Sequence, residues 1–265
     1  MESKSFAVLG SPIEHSKSPA IHAAAYRALG LDWGYSRFQL EAAGLAEFLR
    51  NTDLAGASLT MPLKDEAFKL VESADLNAIA AKAMNTIVRR GAGWLGFNTD
   101  VFGITQALAE VQFDDALILG SGATARNAVL AVKVLNPDAR ISVLARDNAK
   151  AHEVVAFAES NGLVSQVAQA PVNTGNFALT ISSLPPSATA TEWLTGETNG
   201  TLFDVAYNPW PSELAKQWSG NLVSGIEMLI WQAIAQIRIF STGSAAEPLE
   251  NEDHVAALML EAAEG

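Results

Sequence analysis

Short apolar runs alternate with segments of helical period along almost the whole chain, and that alternation decides the class of fold. Repeated strand–helix–strand units build parallel sheets whose faces the helices cover. Phe6–Gly10, Tyr35–Leu40 and Ala57–Met61 read as strands. Ser18–Leu29, Gly44–Arg50 and Lys64–Val71 read as helices, the first opened by Pro19 and stopped by Gly30. Asn85–Arg89 and Trp94–Phe97 read as two more strands about the turn Gly91-Ala92-Gly93. The series restarts at Ala116–Leu119, with helices expected at Ala123–Leu135 and Asn148–Ser160 and strands at Ile141–Ala145, Phe177–Ser183 and Leu202–Ala206. Gly225–Phe240 and His254–Ala263 are helical with no strand to serve. Two series split near Asp100 predict an α/β protein of two α/β domains, the terminal helices closing back over an earlier one.

Composition removes several classes of function. Of 265 residues 49% are hydrophobic and 17% charged, enough apolar surface for real cores. The chain holds no Cys, which excludes disulfides, a thiolate nucleophile and Cys-ligated metal. His15, His22, His152 and His254 are scattered without metal-ligand spacing, so no metal is expected. Lys and Arg number 17 against 29 Asp and Glu, a net charge of −12, which disfavours nucleic acid as a partner. An anionic ligand must therefore be held by local donors. No apolar run reaches the roughly 18–20 residues of a membrane helix, and Phe6-Ala7-Val8-Leu9 is too short for a signal-peptide core. A cytoplasmic protein with no membrane contact is expected.

The strongest local motif is Gly120-Ser121-Gly122-Ala123-Thr124-Ala125, which follows a strand and opens a helix. The first glycine permits the tight turn, the second lets backbone approach a pyrophosphate, and the small Ala125 allows close helix–sheet packing. The helix N-terminus supplies free N–H groups to the anion. A ligand-free glycine turn is the plain alternative. The next strand ends at Ala145 rather than at an acid, and Arg146 follows, which suits a ribose 2′-phosphate. Lys150 lies one helical turn on, and Asp147 argues the other way unless it caps the helix from Asn148. By spacing alone three other features keep plain readings. Ser16 and Ser18 flank a helix start, with Ser18 as an N-cap before Pro19; Lys64 is a surface lysine; Asp100 caps a helix from Val101.

Taken together, the residues resemble the shikimate dehydrogenase family. The markers stand in family order over nearly the whole chain: Gly10-Ser11-Pro12 with His15-Ser16-Lys17-Ser18-Pro19, then Leu59-Thr60-Met61-Pro62-Leu63-Lys64, Asn85-Thr86 and Asn98-Thr99-Asp100. The glycine turn, Tyr207-Asn208-Pro209 and Gly225 to Gln232 complete the set. The resemblance reverses the plain readings. It implies that Ser16 and Ser18 bind a substrate carboxylate with Tyr207 nearby. Thr60, Asn85, Asp100 and Gln232 would hydrogen-bond ring hydroxyls, with Lys64 by the reacting oxygen. Gly225 and Met228 would flank a nicotinamide, Gly120, Ser121, Gly122, Ala123, Thr124 and Ala125 would cradle NADP(H), and Arg146 with Lys150 would take its 2′-phosphate. Residues 1–99 plus 226–265 would form the substrate domain and 100–225 a Rossmann-type NADP domain. Ser58-Leu59-Thr60, Lys82-Ala83-Met84-Asn85-Thr86, Ser182-Ser183-Leu184-Pro185-Pro186-Ser187 and Ala145-Arg146-Asp147 depart from the family's usual wording.

The resemblance implies an enzyme reducing 3-dehydroshikimate to shikimate with NADPH, in the biosynthesis of chorismate and the aromatic amino acids. Lys64 and Asp100 would be its catalytic pair, and the protein would be a monomer or homodimer. Two other readings stay open at this level: an NAD-dependent quinate/shikimate dehydrogenase, and a non-catalytic shikimate- and NADP-binding regulator.

Overall fold

The computed structural model describes residues 3–190 and 192–264. The outermost ends of the expected substrate domain, residues 1–2 and 265, lie outside the described residues. Two compact units are present, one of Met1–Asp100 with Ile230–Gly265 and one of Val101–Leu229. The crossings differ from the expected ones: Asp100 goes with the first unit and residues 226–229 with the second.

The first unit begins β1 (Lys4–Gly10), α1 (Ser18–Ala28), β2 (Trp33–Gln39), α2 (Leu45–Asn51), β3 (Gly56–Leu59) and α3 (Leu63–Glu66). It continues through β4 (Ser73–Ala74), α4 (Leu76–Ala81), β5 (Thr86–Arg90) and β6 (Gly93–Phe97) to the first residue of α5 (Asp100–Ala107). The sheet order is β2-β1-β3-β5-β6-β4. This sheet is mixed rather than parallel throughout, because β5 runs antiparallel to both β3 and β6. The tight turn at Gly91, whose φ is 59°, reverses the chain too soon for a crossover helix. The helix expected over Lys64–Val71 is likewise shorter: α3 stops at Glu66 and a 3₁₀ turn covers Ala67–Lys69.

The second unit holds β7 (Asp115–Leu119), α6 (Ala123–Leu135), β8 (Arg140–Leu144), α7 (Asn148–Ser160) and β9 (Val164–Val167). Then come β10 (Val172–Asn173), β11 (Leu179–Ser182), β12 (Leu194–Thr195), β13 (Thr201–Asp204) and β14 (Leu222–Ser224). Its main sheet has the order β14-β13-β11-β7-β8-β9, and every pairing in it is parallel. Counted from β7, that is the 3-2-1-4-5-6 order of dinucleotide-binding sheets. The apolar β7 sequence DALIL is buried along four of its five residues, as a strand covered on both faces must be.

The last helices are α8 (Gly225–Thr242) and α9 (Glu252–Glu264). The α9 helix packs along α1, where Lys17 Nζ donates to the Ala263 carbonyl. Arg238 of α8 donates through Nε to Glu252 at 2.7 Å and through a second nitrogen to its other oxygen. That two-pronged pair is nearly buried, the stronger geometry for an arginine–carboxylate contact. Among the described residues no helix is long and apolar enough to cross a membrane.

Beneath α1 and α8 lies an aromatic layer. Phe6 stacks on Phe240 with centroids 4.3 Å apart, and His22 stacks on Tyr35 at 3.8 Å. His22 Nδ1 sits 2.9 Å from the Ser18 carbonyl, which only accepts, so Nδ1 carries the proton. Its Nε2 is buried and meets no partner in good hydrogen-bond geometry among the described residues, and the nearby Gln236 side chain offsets only a little of the burial. Burial pushes the imidazole down to about 4 from an ordinary 6.5. Between those values the unfolded chain binds more protons than the folded one, so stability is full above pH 6.5 and is lost as pH falls toward 4. Each pH decade of separation is worth about 1.4 kcal/mol, so the acid loss from this residue is about 3 kcal/mol. Denaturant unfolding across that range should show the slope in the wild type and lose about this much of it in His22→Leu. Parallel curves for the two proteins would refute the assignment.

Candidate active site

In the first unit, chain reversals at one end of the sheet gather polar side chains. After β3 the chain passes Thr60, whose N–H donates to Leu9 O at 2.9 Å, and enters α3, which carries Lys64. Gly10 is required here by close approach: a Cβ would fall 2.2 Å from Thr60 Cγ2 and 2.8 Å from Met61 O. Asn85 immediately precedes β5, and its backbone bonds Phe97 and Leu59 at 3.1 and 2.7 Å. Asp100 opens α5, and its N–H is taken by Asn98 Oδ1 at 3.0 Å. Asn98 is itself held, with Nδ2 2.9 Å from Ala83 O and its N–H 3.2 Å from Asp75 Oδ1.

Lys64 Nζ donates to Asp100 Oδ2 at 2.7 Å, with the lysine side chain 25% exposed and the aspartate 8%. Asn85 Nδ2 donates to Asp100 Oδ1 at 2.7 Å and to Thr99 Oγ1 at 2.9 Å. The Asn85 oxygen accepts from the Thr99 N–H and from Thr86 Oγ1, both at 2.9 Å. Gln232 Oε1 lies 3.4 Å from Asn85 Nδ2 and from Thr99 Oγ1. Lys64, Asn85, Asp100 and Gln232 are thus brought into one network. Asn85, expected against a ring hydroxyl, commits its amide to Asp100, Thr99 and Thr86. Thr99 and Thr86 were not singled out from the sequence as site residues, though each directly adjoins one that was.

Ser16 and Ser18 form a separate group at the start of α1. Lys17 is the N-cap residue and makes no side-chain cap bond, so Ser18 is the first helical residue and not the cap. Ser16 Oγ accepts the Ser18 N–H at 3.3 Å. The two hydroxyls therefore sit beside a helix N-terminus, where a carboxylate is stabilised by the partial positive charge.

In the second unit Gly120 has φ 115°, which favours glycine, and a Cβ would strike Ser183 Oγ at 2.2 Å. Gly122 is the N-cap of α6 and has open space where a Cβ would stand. Ala125 is fully buried, as close helix–sheet packing requires. Ser121, Ala123 and Thr124 complete the turn into α6. Arg146 and Lys150 are exposed, and neither joins an ion pair among the described residues. Asp147 caps α7, its Oδ1 accepting from Ala149 and Lys150 N–H at 3.0 and 3.3 Å. Its charge is thereby tied to the helix. The open cradle at Gly122, the α6 terminus and the unpaired Arg146 fit a phosphorylated dinucleotide.

Tyr207 follows β13, and burial raises its phenol above the ordinary value, so it stays a donor. Gly225 has a packing reason of its own: a Cβ would meet the Val205 carbonyl at 2.0 Å. Met228 is partly buried in the first turn of α8. No group of three His, Asp or Glu side chains that could hold a metal ion occurs among the described residues.

Residues 8–87 match the shikimate dehydrogenase substrate binding domain family. The shikimate dehydrogenase (NADP(+)) of Nitrosopumilus maritimus is 30% identical over 259 residues, covering 89% of this chain and 93% of that protein. The chain belongs to the shikimate dehydrogenase family. The crystal structure of Mycobacterium tuberculosis shikimate dehydrogenase superposes with a TM-score of 0.85 at 34% identity, over 98% of this chain and 99% of that one. The Thermus thermophilus shikimate 5-dehydrogenase, solved with NADP(H) and shikimate, gives 0.80 at 27% identity over 98% of both chains. The Tyr35 hydroxyl lies 2.6 Å from Ser58 Oγ.

Proposed function

We propose that this chain catalyses the reversible NADP(H)-dependent reduction of 3-dehydroshikimate to shikimate. The observation that carries the reading is the Lys64–Asp100 pair, hydrogen-bonded by Asn85, in a chain whose full-length relatives are named as NADP-dependent shikimate dehydrogenases. The bound nicotinamide supplies or accepts the hydride. As a ring ketone takes a hydride, its oxygen gains negative charge and needs a proton. Lys64 donates one N–H to Asp100 and has others to offer. It stabilises the developing charge and delivers the proton, while Asp100 holds the ammonium in place. Asn85 keeps the Asp100 carboxylate turned toward Lys64. Thr60 and Gln232 stand as partners for ring hydroxyls, and Ser16, Ser18 and Tyr207 as neutral donors to the substrate carboxylate. Neutral donors suit a chain of net charge −12, because the overall field opposes an anion.

Gly120–Ala125 would hold the cofactor pyrophosphate, and Gly225 and Met228 would lie at its nicotinamide. Arg146 would grip the 2′-phosphate through two charge-assisted hydrogen bonds, supported by Lys150. With Asp147 tied to the α7 terminus, NADP is expected to be preferred over NAD. Arg146→Ala should weaken NADP⁺ binding by about 1–3 kcal/mol and leave NAD⁺ nearly untouched, read as kcat/KM for each cofactor. Equal losses with both cofactors would place the phosphate elsewhere.

A spectrophotometric assay of shikimate and of quinate, each with NADP⁺ and with NAD⁺, tests the whole reading. Turnover should be fastest with shikimate and NADP⁺. Faster turnover with quinate and NAD⁺ would make it a quinate dehydrogenase. No turnover with any pair would leave a binding protein without catalysis.

A further inference from the structure

Behind Asp100 the polar network does not end at Asn85 but runs on into the core of the first unit. Ser58 Oγ donates to Gln236 Oε1 at 2.8 Å, across 178 residues of sequence. Gln236 Nε2 donates to Thr86 Oγ1 at 3.1 Å, and Thr86 Oγ1 donates to Asn85 Oδ1 at 2.9 Å. Tyr35 closes the far end, with its hydroxyl 2.6 Å from Ser58 Oγ. Gln236 is 1% exposed and Thr86 fully buried, so water cannot replace these bonds.

The direction of every bond follows from the inventory of protons. A hydroxyl has one, and the oxygens of amides and carboxylates have none. Ser58 gives its proton to the Gln236 oxygen, so Tyr35 must be the donor to Ser58. Burial raises the Tyr35 phenol well above its ordinary value, and it stays protonated. Thr86 gives its proton to the Asn85 oxygen, so Gln236 must be the donor to Thr86. The chain therefore reads Tyr35, Ser58, Gln236, Thr86, Asn85, Asp100, with each group donating toward the carboxylate.

Turning the Gln236 amide over breaks this order. Its oxygen would then draw the single Thr86 proton away from Asn85. Its NH₂ would face Ser58, leaving one of the two hydroxyl protons of the Tyr35–Ser58 pair with no acceptor in the network. His22, stacked on Tyr35 and within reach of the Gln236 side chain, has its one ring proton committed to Ser18 O and none left to offer.

We infer that Gln236 is a positioning residue for the proposed reaction, acting through Thr86 and Asn85 to hold Asp100 against Lys64. It touches neither substrate nor cofactor. With the Gln236 link cut, Thr86 is free to turn its proton elsewhere, and the Asn85 amide loses one of the donors that fix which end meets Asp100. Asp100 then shares its position between Lys64 and other partners, and the lysine loses its fixed aim.

The inference rests on the proposed function, and the test separates the two. Gln236→Met keeps length and apolar bulk but removes both polar atoms. Thr86→Val cuts the same link from the other side, and Thr86→Ser keeps the hydroxyl. Each is measured for shikimate oxidation with NADP⁺, for thermal stability, and by NMR of the Asn85 side-chain NH₂ protons. In Gln236→Met and Thr86→Val kcat should fall about tenfold, one hydrogen bond's worth, with the KM for NADP⁺ unchanged. Thr86→Ser should recover most of the rate. The double variant should lose no more than the worse single one, because both cut one chain. The Asn85 protons should move away from the low-field position of a carboxylate-bound amide. Folded variants with wild-type kcat and unmoved Asn85 protons would overturn the inference. So would losses in kcat that follow thermal stability and add in the double variant. If the wild type does not oxidise shikimate, the functional reading fails, and the Asn85 resonances alone decide whether Gln236 positions the amide.

Discussion

Lys64→Ala is expected to lower kcat by about 10²–10⁴-fold, the usual worth of a general acid placed at the reacting atom. The loss should fall on turnover rather than on binding. Lys64 meets Asp100 at 2.7 Å and keeps a quarter of its side chain exposed, the state of a group fixed at one end and open at the other. Its charge matters most when the substrate oxygen becomes an alkoxide, which happens only near the transition state. A group of that kind lowers kcat and kcat/KM together when removed. Lys64→Arg should not restore the rate, since a guanidinium does not give up a proton. Steady-state kinetics with shikimate and NADP⁺ test this. Near-native kcat in Lys64→Ala would return the residue to an ion pair of purely structural worth.

Replacing Ser16 and Ser18 together by alanine is expected to raise the KM for shikimate by about 10²–10⁴-fold. Hydrogen bonds to a charged group contribute roughly 1.5–3 kcal/mol each, and two are removed. Ser18 lies inside α1 rather than at its cap, so the change does not strip the helix of a capping side chain. Among the described residues the Ser16 side-chain oxygen receives the Ser18 N–H alone, a long bond at 3.3 Å whose loss costs little stability. Cofactor affinity should hold, because these residues and the Gly120–Ala125 turn belong to different units. Isothermal titration with shikimate and with NADP⁺ separates the two effects. An unchanged KM in the double variant would mean that the carboxylate is bound elsewhere.

The sequence showed some of this plainly. The helices at Ala123–Leu135 and Asn148–Ser160 carry full turns of apolar period and clear starts, and their expected limits coincide with α6 and α7. The Asp147 cap followed from helix geometry at a single residue. The short strands β4, β10 and β12 did not show, because two residues have no period to read. The strand expected to reach Met61 stops at Leu59, where the chain turns into α3. The mixed order of the first sheet was hidden for another reason. Alternation of strands and helices suggested parallel pairing; the turn at Gly91 accounts for the antiparallel β5–β6 pair, while the antiparallel β3–β5 pair left no signal in the sequence.

The candidate site was legible unevenly. Lys64 and Asp100 gained weight only as parts of an ordered set of motifs, since each alone resembles an ordinary surface or capping residue. Asn85 was found, but its partners were not: a sequence shows that an amide is present, not that Asp100, Thr99 and Thr86 hold it. Tyr35 and Gln236 left no local signal at all. Their link through Ser58 is made by the fold, which brings side chains of β2, β3 and α8 within hydrogen-bond distance although β1 lies between the two strands. Ser58 stood out only as a departure from the family's wording, and the structure gives that departure a consequence in the bond to Tyr35.

The most direct measurement of the central claim is the fate of the transferred hydrogen. The protein is incubated with 3-dehydroshikimate and NADPH that carries deuterium at its transferable position, and the product is read by NMR and mass spectrometry. The account predicts shikimate with one deuterium on the carbon that bears the newly formed hydroxyl. It also predicts that Lys64→Ala forms the same labelled product at a rate lower by about 10²–10⁴-fold. No shikimate, or shikimate with no deuterium at that carbon, would contradict it.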